Sequence, residues 1–266
     1  MPIARVGDIG LNYRIDGPDG APWITFTTGM TNDLTMWDAH VAALGATHRL
    51  LRFDTRGHGD SEATPPPYTL DMLIGDIVGL WDALGIERST LVGLGLGGVV
   101  ALGLAIRHGG RLDALVPVAC RSEPVPQYRA IWPPMMERAR AGGIAAIADT
   151  TAERWFPEAF RAANPEVMEK IRRMILKTSV DGYLGCIAAL LTMDYTAGLP
   201  AIGVPALLVS GAEDHVGAPA EVMQAMADAM PDARHVSLPG AGHICTVANP
   251  GAFDDAMTAF LNEIQG

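Results

Sequence analysis

The stretch Leu91-Val-Gly93-Leu94-Gly95-Leu96-Gly97-Gly98 follows an apolar strand-like run and leads into a helical pattern. A strand that turns sharply into a helix crowds its flanking side chains, so glycines belong on either side, and the middle residue must accept positive φ. In the G-x-S-x-G pattern of such a turn the middle residue is a serine nucleophile. Here it is Gly95, which carries no hydroxyl. The run also has a loose likeness to a dinucleotide-binding glycine loop, but it comes after several strands and lacks an acidic residue on a following strand. Further along, Asp214 stands just past the buried run Ala206–Ser210, and His243 just past Arg234–Leu238. In the order nucleophile position, acid, base, Asp214 would orient the His243 imidazole and stabilise its charged form. Glu213 rivals Asp214, which sits one step further out on the turn. His243 alone, after a Gly-x-Gly turn, would read as structural; with Asp214 and the glycine turn it reads as catalytic. His215 and His235 lack such a context and read as solvated or structural. An oxyanion would be held by backbone N–H groups, one from Leu96 directly after the nucleophile position and one from Met30 behind Thr28-Gly29.

The elements that must position these residues alternate along the chain. Strand-like runs fall at Ile9–Asp16, Trp23–Thr28, Arg49–Phe53, Thr90–Val92, Ala114–Ala119, Ala206–Ser210 and Arg234–Leu238. Helical patterns lie near Met36–Leu44, Leu70–Leu84, Gly97–Arg107, Glu221–Ala229 and Ala252–Glu263, the second with Leu73, Ile77, Leu80 and Leu84 on one apolar face. Such alternation predicts an α/β fold with a mostly parallel sheet flanked by helices. From about Glu123 to Ala197 strand-like runs cease, so residues 123–197 are expected to form a helical cap on a core of residues 1–122 and 198–266. Open α/β sheets bind ligands beyond the carboxyl ends of their strands, where such a cap would shape the pocket and exclude water. The charged residues of Arg52–Ser61 are expected to brace loops, and Trp37 reads equally as a pocket wall or as core.

On these residues the chain resembles the α/β-hydrolase superfamily from end to end, and within it the 3-oxoadipate enol-lactonases. The pieces that carry the likeness are Asp33-Leu-Thr-Met-Trp-Asp38, Asp54-Thr-Arg-Gly-His-Gly-Asp-Ser61, Glu153-Arg-Trp-Phe156 and Asp181-Gly-Tyr183-Leu-Gly-Cys186-Ile-Ala-Ala189, with Asp194 beyond. The resemblance implies an eight-stranded, mostly parallel sheet with a helical cap. It also implies hydrolysis of an ester or lactone through an acyl-enzyme, without metal or organic cofactor. Substrates of that family carry carboxylates, so Arg121, Arg154 and the adjacent Trp155 become candidate substrate contacts. Either arginine could instead brace the cap or the surface.

The bulk of the sequence narrows the partners. A chain of 266 residues that is 49% hydrophobic and 18% charged can bury one large core. A formal net charge of −11 argues against nucleic acid and anionic membrane surfaces as partners and decides nothing about a small substrate; the small ester or lactone molecule is what the resemblance implies. Cys120, Cys186 and Cys245 are too few and too scattered for a disulfide framework or a zinc site. The N-terminus lacks a signal pattern, and the apolar stretch Leu91–Ile106 is too short and glycine-rich for a membrane span, so a cytoplasmic location is expected. An apolar cap face could serve a homodimer or only its own pocket.

Gly95 then admits three readings. The chain is a hydrolase whose serine has been replaced, which silences turnover or traps substrate. Alternatively it uses His243 and Asp214 as an acid/base pair without acylation, for lyase, isomerase or oxygenase work. Or it is a ligand-binding protein built on a hydrolase that no longer turns over. Serine at such a turn is strained and glycine is not, so either design or relaxed selection could leave glycine behind. Cys120 and Ser122 lie near enough to be weighed as substitute nucleophiles, but neither sits on the turn.

Overall fold

In the computed structural model, which describes residues 2–215 and 217–265, the apolar runs pair into one eight-stranded sheet. Its strands are β1 (Ile3–Val6), β2 (Ile9–Asp16), β3 (Trp23–Thr27), β4 (Arg49–Phe53), β5 (Ser89–Leu94), β6 (Leu112–Val118), β7 (Ala206–Gly211) and β8 (Ala233–Leu238). They lie in the order β1-β2-β4-β3-β5-β6-β7-β8. The pairs β1·β2 and β2·β4 are antiparallel and every other pair is parallel. β5 and β7 are buried at every residue, as expected of central parallel strands covered on both faces. The expected strand boundaries hold to within two residues. β1 is absent from the seven runs read in the sequence, because a four-residue edge strand with no buried residue carries no core-facing alternation.

Helices cover both faces. A 3-10 helix at Leu34–His40 passes into α1 (Val41–Leu44), so the single helix expected over Met36–Leu44 is mostly 3-10. The Asp33 side chain explains its start by accepting from the Thr35 N–H, as an N-cap does. α2 (Leu70–Leu84) opens on Thr69, whose hydroxyl accepts from the Met72 N–H, and closes on Gly85 in the left-handed conformation. α3 (Leu96–His108) follows β5, and its apolar side chains are buried nearly throughout. Between β6 and β7 come α4 (Pro126–Gly142), α5 (Ala145–Trp155), α6 (Glu158–Ala163), α7 (Pro165–Leu176) and α8 (Val180–Leu190). The chain ends with α9 (Ala220–Asp228), the short α10 (Cys245–Ala248) and α11 (Pro250–Gln265).

Close glycine contacts seat the helical segment on the sheet. A Cβ on Gly182 would lie 2.5 Å from the Gly57 carbonyl oxygen, and the Ser179 N–H donates to that oxygen at 2.8 Å. One turn on, Gly185 lets α8 pack against the Tyr68 ring, which a Cβ would meet at 2.7 Å.

Charged groups in the loop after β4 brace the sheet, as the sequence suggests. Buried Asp54 accepts from Asn12 Nδ2 at 2.6 Å, the Leu34 N–H at 2.6 Å and the Asp60 N–H at 2.9 Å, tying three segments together. Arg56 forks onto Asp76 with two bonds of 2.6 Å, and Arg52 binds Asp16 and Asp38.

In the same loop His58 is fully buried. Its Nδ1–H donates to the Arg56 carbonyl at 3.0 Å, and Nε2 has no partner. Burial pushes its pKa down to about 4. The folded protein therefore holds His58 neutral where an unfolded chain, titrating near about 6.5, already binds a proton. Stability from this neutral histidine is complete above about pH 6.5 and is lost as pH falls toward about 4. His58→Asn keeps a donor for the Arg56 carbonyl and removes the titration. The loss of unfolding free energy between pH 7 and pH 4.5 should shrink by about 2–3 kcal/mol, read from urea midpoints at both pH values. An equal loss in both proteins would contradict the assignment.

Candidate active site

Strand register brings the separated residues together. Thr27 pairs with Gly93, Leu94 with Val118, Val118 with Val209, and Gly211 with Leu238. The carboxyl ends of β3, β5, β6, β7 and β8 thus finish side by side, and the loops that follow meet above one edge. Met30, Gly95, Leu96, Arg121, Gly217 and His243 all line a single cleft there, closed from the other side by Tyr128, Trp132, Thr151, Arg154, Trp155 and Tyr183 of α4, α5 and α8. The cleft is partly open to solvent and combines apolar walls with a few convergent polar groups, as a small-molecule site does.

At the β5–α3 turn Gly95 has φ 55° and ψ −112°, and its N–H donates to the Val118 carbonyl at 2.9 Å. The neighbouring glycines are sterically required. A Cβ on Gly93 would sit 2.3 Å from the Gly97 carbonyl oxygen, one on Gly97 2.8 Å from the Thr27 and Thr28 oxygens, and one on Gly98 2.7 Å from Cys120 Cβ. Gly95 differs. A Cβ there meets nothing nearer than His243 Nε2 at 3.4 Å, with Gly29 Cα next at 3.8 Å. Space alone would admit a side chain at Gly95, and it would project at the histidine.

Asp214 is buried, with its carboxylate accepting from His243 Nδ1 at 2.9 Å, the Gly217 N–H at 2.8 Å and the Ala218 N–H at 2.9 Å. Burial alone would raise its pKa; the imidazole and the two amides outweigh that and hold the carboxyl well below the usual carboxylate range. Asp214 is therefore an anion throughout the working pH range. With Nδ1–H committed to it, the basic lone pair of His243 lies on Nε2. Gly217 permits this closeness, since a Cβ there would stand 2.1 Å from Nδ1. Glu213 is exposed and does not line the cleft, so the carboxylate that meets the imidazole is that of Asp214. His215 is exposed, and His235 shares a hydrogen bond with Ser210.

The loop after β3 is held in an unusual conformation. Thr31 and Ala119 are the non-glycine residues with positive φ among those described, at 59° and 45°, and both line the cleft beside Gly95. Each such residue costs on the order of 1–3 kcal/mol and persists where its surroundings over-determine it, commonly at functional sites. The N–H of Leu96, first in α3, has no intrahelical acceptor and is available to a developing negative charge.

Among the expected substrate contacts the outcome is mixed. Arg121 lines the cleft, but its Nε–H donates to the Gly217 carbonyl at 2.5 Å and its guanidinium lies over the Tyr128 ring, so it also props the acid loop. Arg154 lines the cleft with Nε buried and without a partner, and none of the ion pairs among the described residues includes it. Burial pulls its pKa down. Trp155 is buried at the cleft wall. Trp37 is a correction. It lies wholly in the core against Phe26, His40 and Phe253, away from the cleft, because the 3-10 helix turns it under β3.

The sequence missed Trp132 and Thr151, whose Nε1 and Oγ1 are also buried at the cleft without partners. Both sit in helices where an aromatic or a small residue reads as ordinary packing, so no local pattern marks them. Cys120 and Ser122 do not replace the missing hydroxyl. Burial pushes the Cys120 thiol up to about 12, and the Ser122 hydroxyl is engaged with Thr196 at 2.8 Å.

Residues 22–247 match the family model described as alpha/beta hydrolase fold. The chain is 31% identical over 259 residues to 3-oxoadipate enol-lactonase 2 of Acinetobacter baylyi, covering 96% of this chain and 94% of that protein. The crystal structure of the enol-lactonase from Burkholderia xenovorans LB400 superposes with a TM-score of 0.93 at 37% identity, over 98% of this chain and 100% of that one. A thermophilic esterase from Thermogutta terrifontis, solved with malate bound, gives a TM-score of 0.91 at 32% identity, over 99% and 97% of the two chains.

The backbone at Gly95 generates a stability prediction. Gly95→Ser fits the space but must hold φ near 55°, which glycine accepts with little strain. The unfolding free energy should fall by about 1–3 kcal/mol in a urea titration, and an unchanged or raised midpoint would contradict the strain argument.

Proposed function

The chain belongs to the alpha/beta-hydrolase family, and on that premise we propose that its cleft takes carboxylic esters or lactones and that Gly95 removes the covalent step. The observation that carries this reading is the space at Gly95, where a Cβ would face His243 Nε2 at 3.4 Å while Asp214 holds the opposite nitrogen at 2.9 Å. A serine side chain there would have its hydroxyl beside the base. His243 would draw off its proton as it attacked the substrate carbonyl, and Asp214 would stabilise the imidazolium. The Leu96 and Met30 N–H groups are assigned to the oxyanion. With glycine in place no acyl-enzyme forms at this turn, and positioning and oxyanion stabilisation are what remain.

Residues 123–197 serve in this reading as the cap over the strand ends. Arg154 is the proposed receptor for a substrate carboxylate, supported by its half-buried side chain, whose Nε is buried without a partner, and by the unpartnered donors Trp132 Nε1 and Thr151 Oγ1 in the same wall. A partly desolvated cation without a counter-ion carries a cost that a ligand anion relieves. Enol-lactones and carboxylate-bearing esters fit this arrangement. Among the described residues no helix is long and apolar enough to cross a membrane.

Two experiments follow. Gly95→Ser should raise turnover of a nitrophenyl ester by about 10³-fold or more and should become labelled stoichiometrically by a fluorophosphonate. Failure of both would sink the reading. In the Gly95→Ser background, Arg154→Met should raise KM for a carboxylate-bearing ester roughly 10- to 100-fold and leave an uncharged ester of equal size unaffected. Equal effects on the two esters would remove Arg154 from substrate recognition.

A further inference from the structure

We propose that the chain, with Gly95 as it stands, hydrolyses reactive acyl groups by direct attack of water, with His243 as general base. The inference rests on the reading of the cleft as an ester and lactone site, and adds a route that needs no serine.

The geometry at the turn supports it. Because Gly95 has no side chain, the ground in front of Nε2 is bounded by Gly29 Cα, 3.8 Å from where a Cβ would stand, and by the imidazole itself. A water oxygen needs only van der Waals distance from Gly95 Cα, so it sits further along the direction a serine hydroxyl would take. There it remains within about 3 Å of Nε2, the reach a general base requires. The imidazole is only 16% exposed at its side chain, so it faces the cleft more than bulk solvent, while the cleft's opening supplies water. Its orientation is fixed from behind by Asp214. The Leu96 N–H that would serve an acyl-enzyme serves this attack equally, since the carbonyl is approached from the same side.

The step balances with one water. The water oxygen bonds to the carbonyl carbon as its proton passes to His243 Nε2, and the carbonyl π pair becomes an oxyanion facing the Leu96 and Met30 N–H groups. When the oxyanion collapses, the carbonyl re-forms and the bond to the leaving oxygen breaks. That oxygen takes the proton from Nε2, giving a carboxylic acid and an alcohol, or an enol from an enol ester or enol-lactone. A free water lacks the effective molarity of a tethered hydroxyl, so the leaving group must compensate. The substrate class is therefore enol and aryl esters and enol-lactones; simple alkyl esters should not react measurably.

The test uses the unaltered chain with 4-nitrophenyl acetate. Steady-state turnover without a burst is expected, and intact mass after acid quench should show no acetyl adduct. His243→Ala should lower kcat/KM by at least about 10²-fold. Should that variant lose its fold by circular dichroism, His243→Gln takes its place. Gly95→Ala sets a methyl carbon 3.4 Å from Nε2 and displaces the water, so it should be at least 10-fold slower than the unaltered chain although it adds no hydroxyl to remove. An acetyl adduct, a rate indifferent to His243, or a Gly95→Ala variant as fast as the unaltered chain would each overturn the water route. If Gly95→Ser still gains turnover and labelling in that event, the reading of the cleft stands and only this route falls. If Gly95→Ser gains neither, both fall together.

Discussion

Everything at the cleft hangs on how β5 enters α3 within one residue. The turn brings a strand end and a helix start so close that Gly93, Gly97 and Gly98 each lie where a Cβ would strike another group within 3 Å, mostly backbone. That closeness sets the start of α3 against the end of β3, beside the loop carrying Met30, and it places Leu96, the first residue of the helix, at the cleft. Left-handed φ at Gly95 completes the turn. Of these four glycines, three are there because nothing larger fits. The fourth is there although a side chain fits, and that side chain would point at the cleft's histidine, which Asp214 braces from behind. Steric necessity and chemical vacancy therefore separate cleanly along six residues of chain.

A second constraint is electrostatic. The acid side of the cleft is complete: Asp214 is anionic, satisfied by an imidazole and two amides, and Arg121 ties its loop to the end of β6 through the Gly217 carbonyl. The opposite wall is incomplete, with Arg154, Trp132 and Thr151 offering buried donors and no acceptor. Buried polar groups are ordinarily paired, and in the proposed reading a ligand carboxylate supplies the acceptor these three lack. In the proposed reading the two walls have different work, one holding a base and the other receiving a ligand. Glycine contacts such as Gly57 against Gly182 fix the distance between them by locking α8 to the loop after β4.

How much of this was legible beforehand depended on how local each feature is. Central strands and helices were readable because burial on both faces, or on one stripe, writes a period into the residues themselves. The glycine turn, Asp214 and His243 were readable because each follows a strand signal at a short, fixed offset. β1 escaped because an exposed edge strand has no such period. Trp37 was ambiguous because an aromatic residue next to a loop packs equally well inward or outward, and the direction depended on a 3-10 helix capped by Asp33.

By itself, then, the sequence determined the α/β alternation, the strand-to-helix turn lacking its hydroxyl, and the acid and base that follow β7 and β8. These are properties of contiguous residues. Only the tertiary structure decided which acid faces the imidazole, which arginine brings an unpartnered Nε to the cleft, that Trp132 and Thr151 join it, and that space for a side chain exists at Gly95 alone among its neighbours. Those outcomes depend on distances between residues far apart in the chain, set by strand register and by helix contacts that no local pattern encodes.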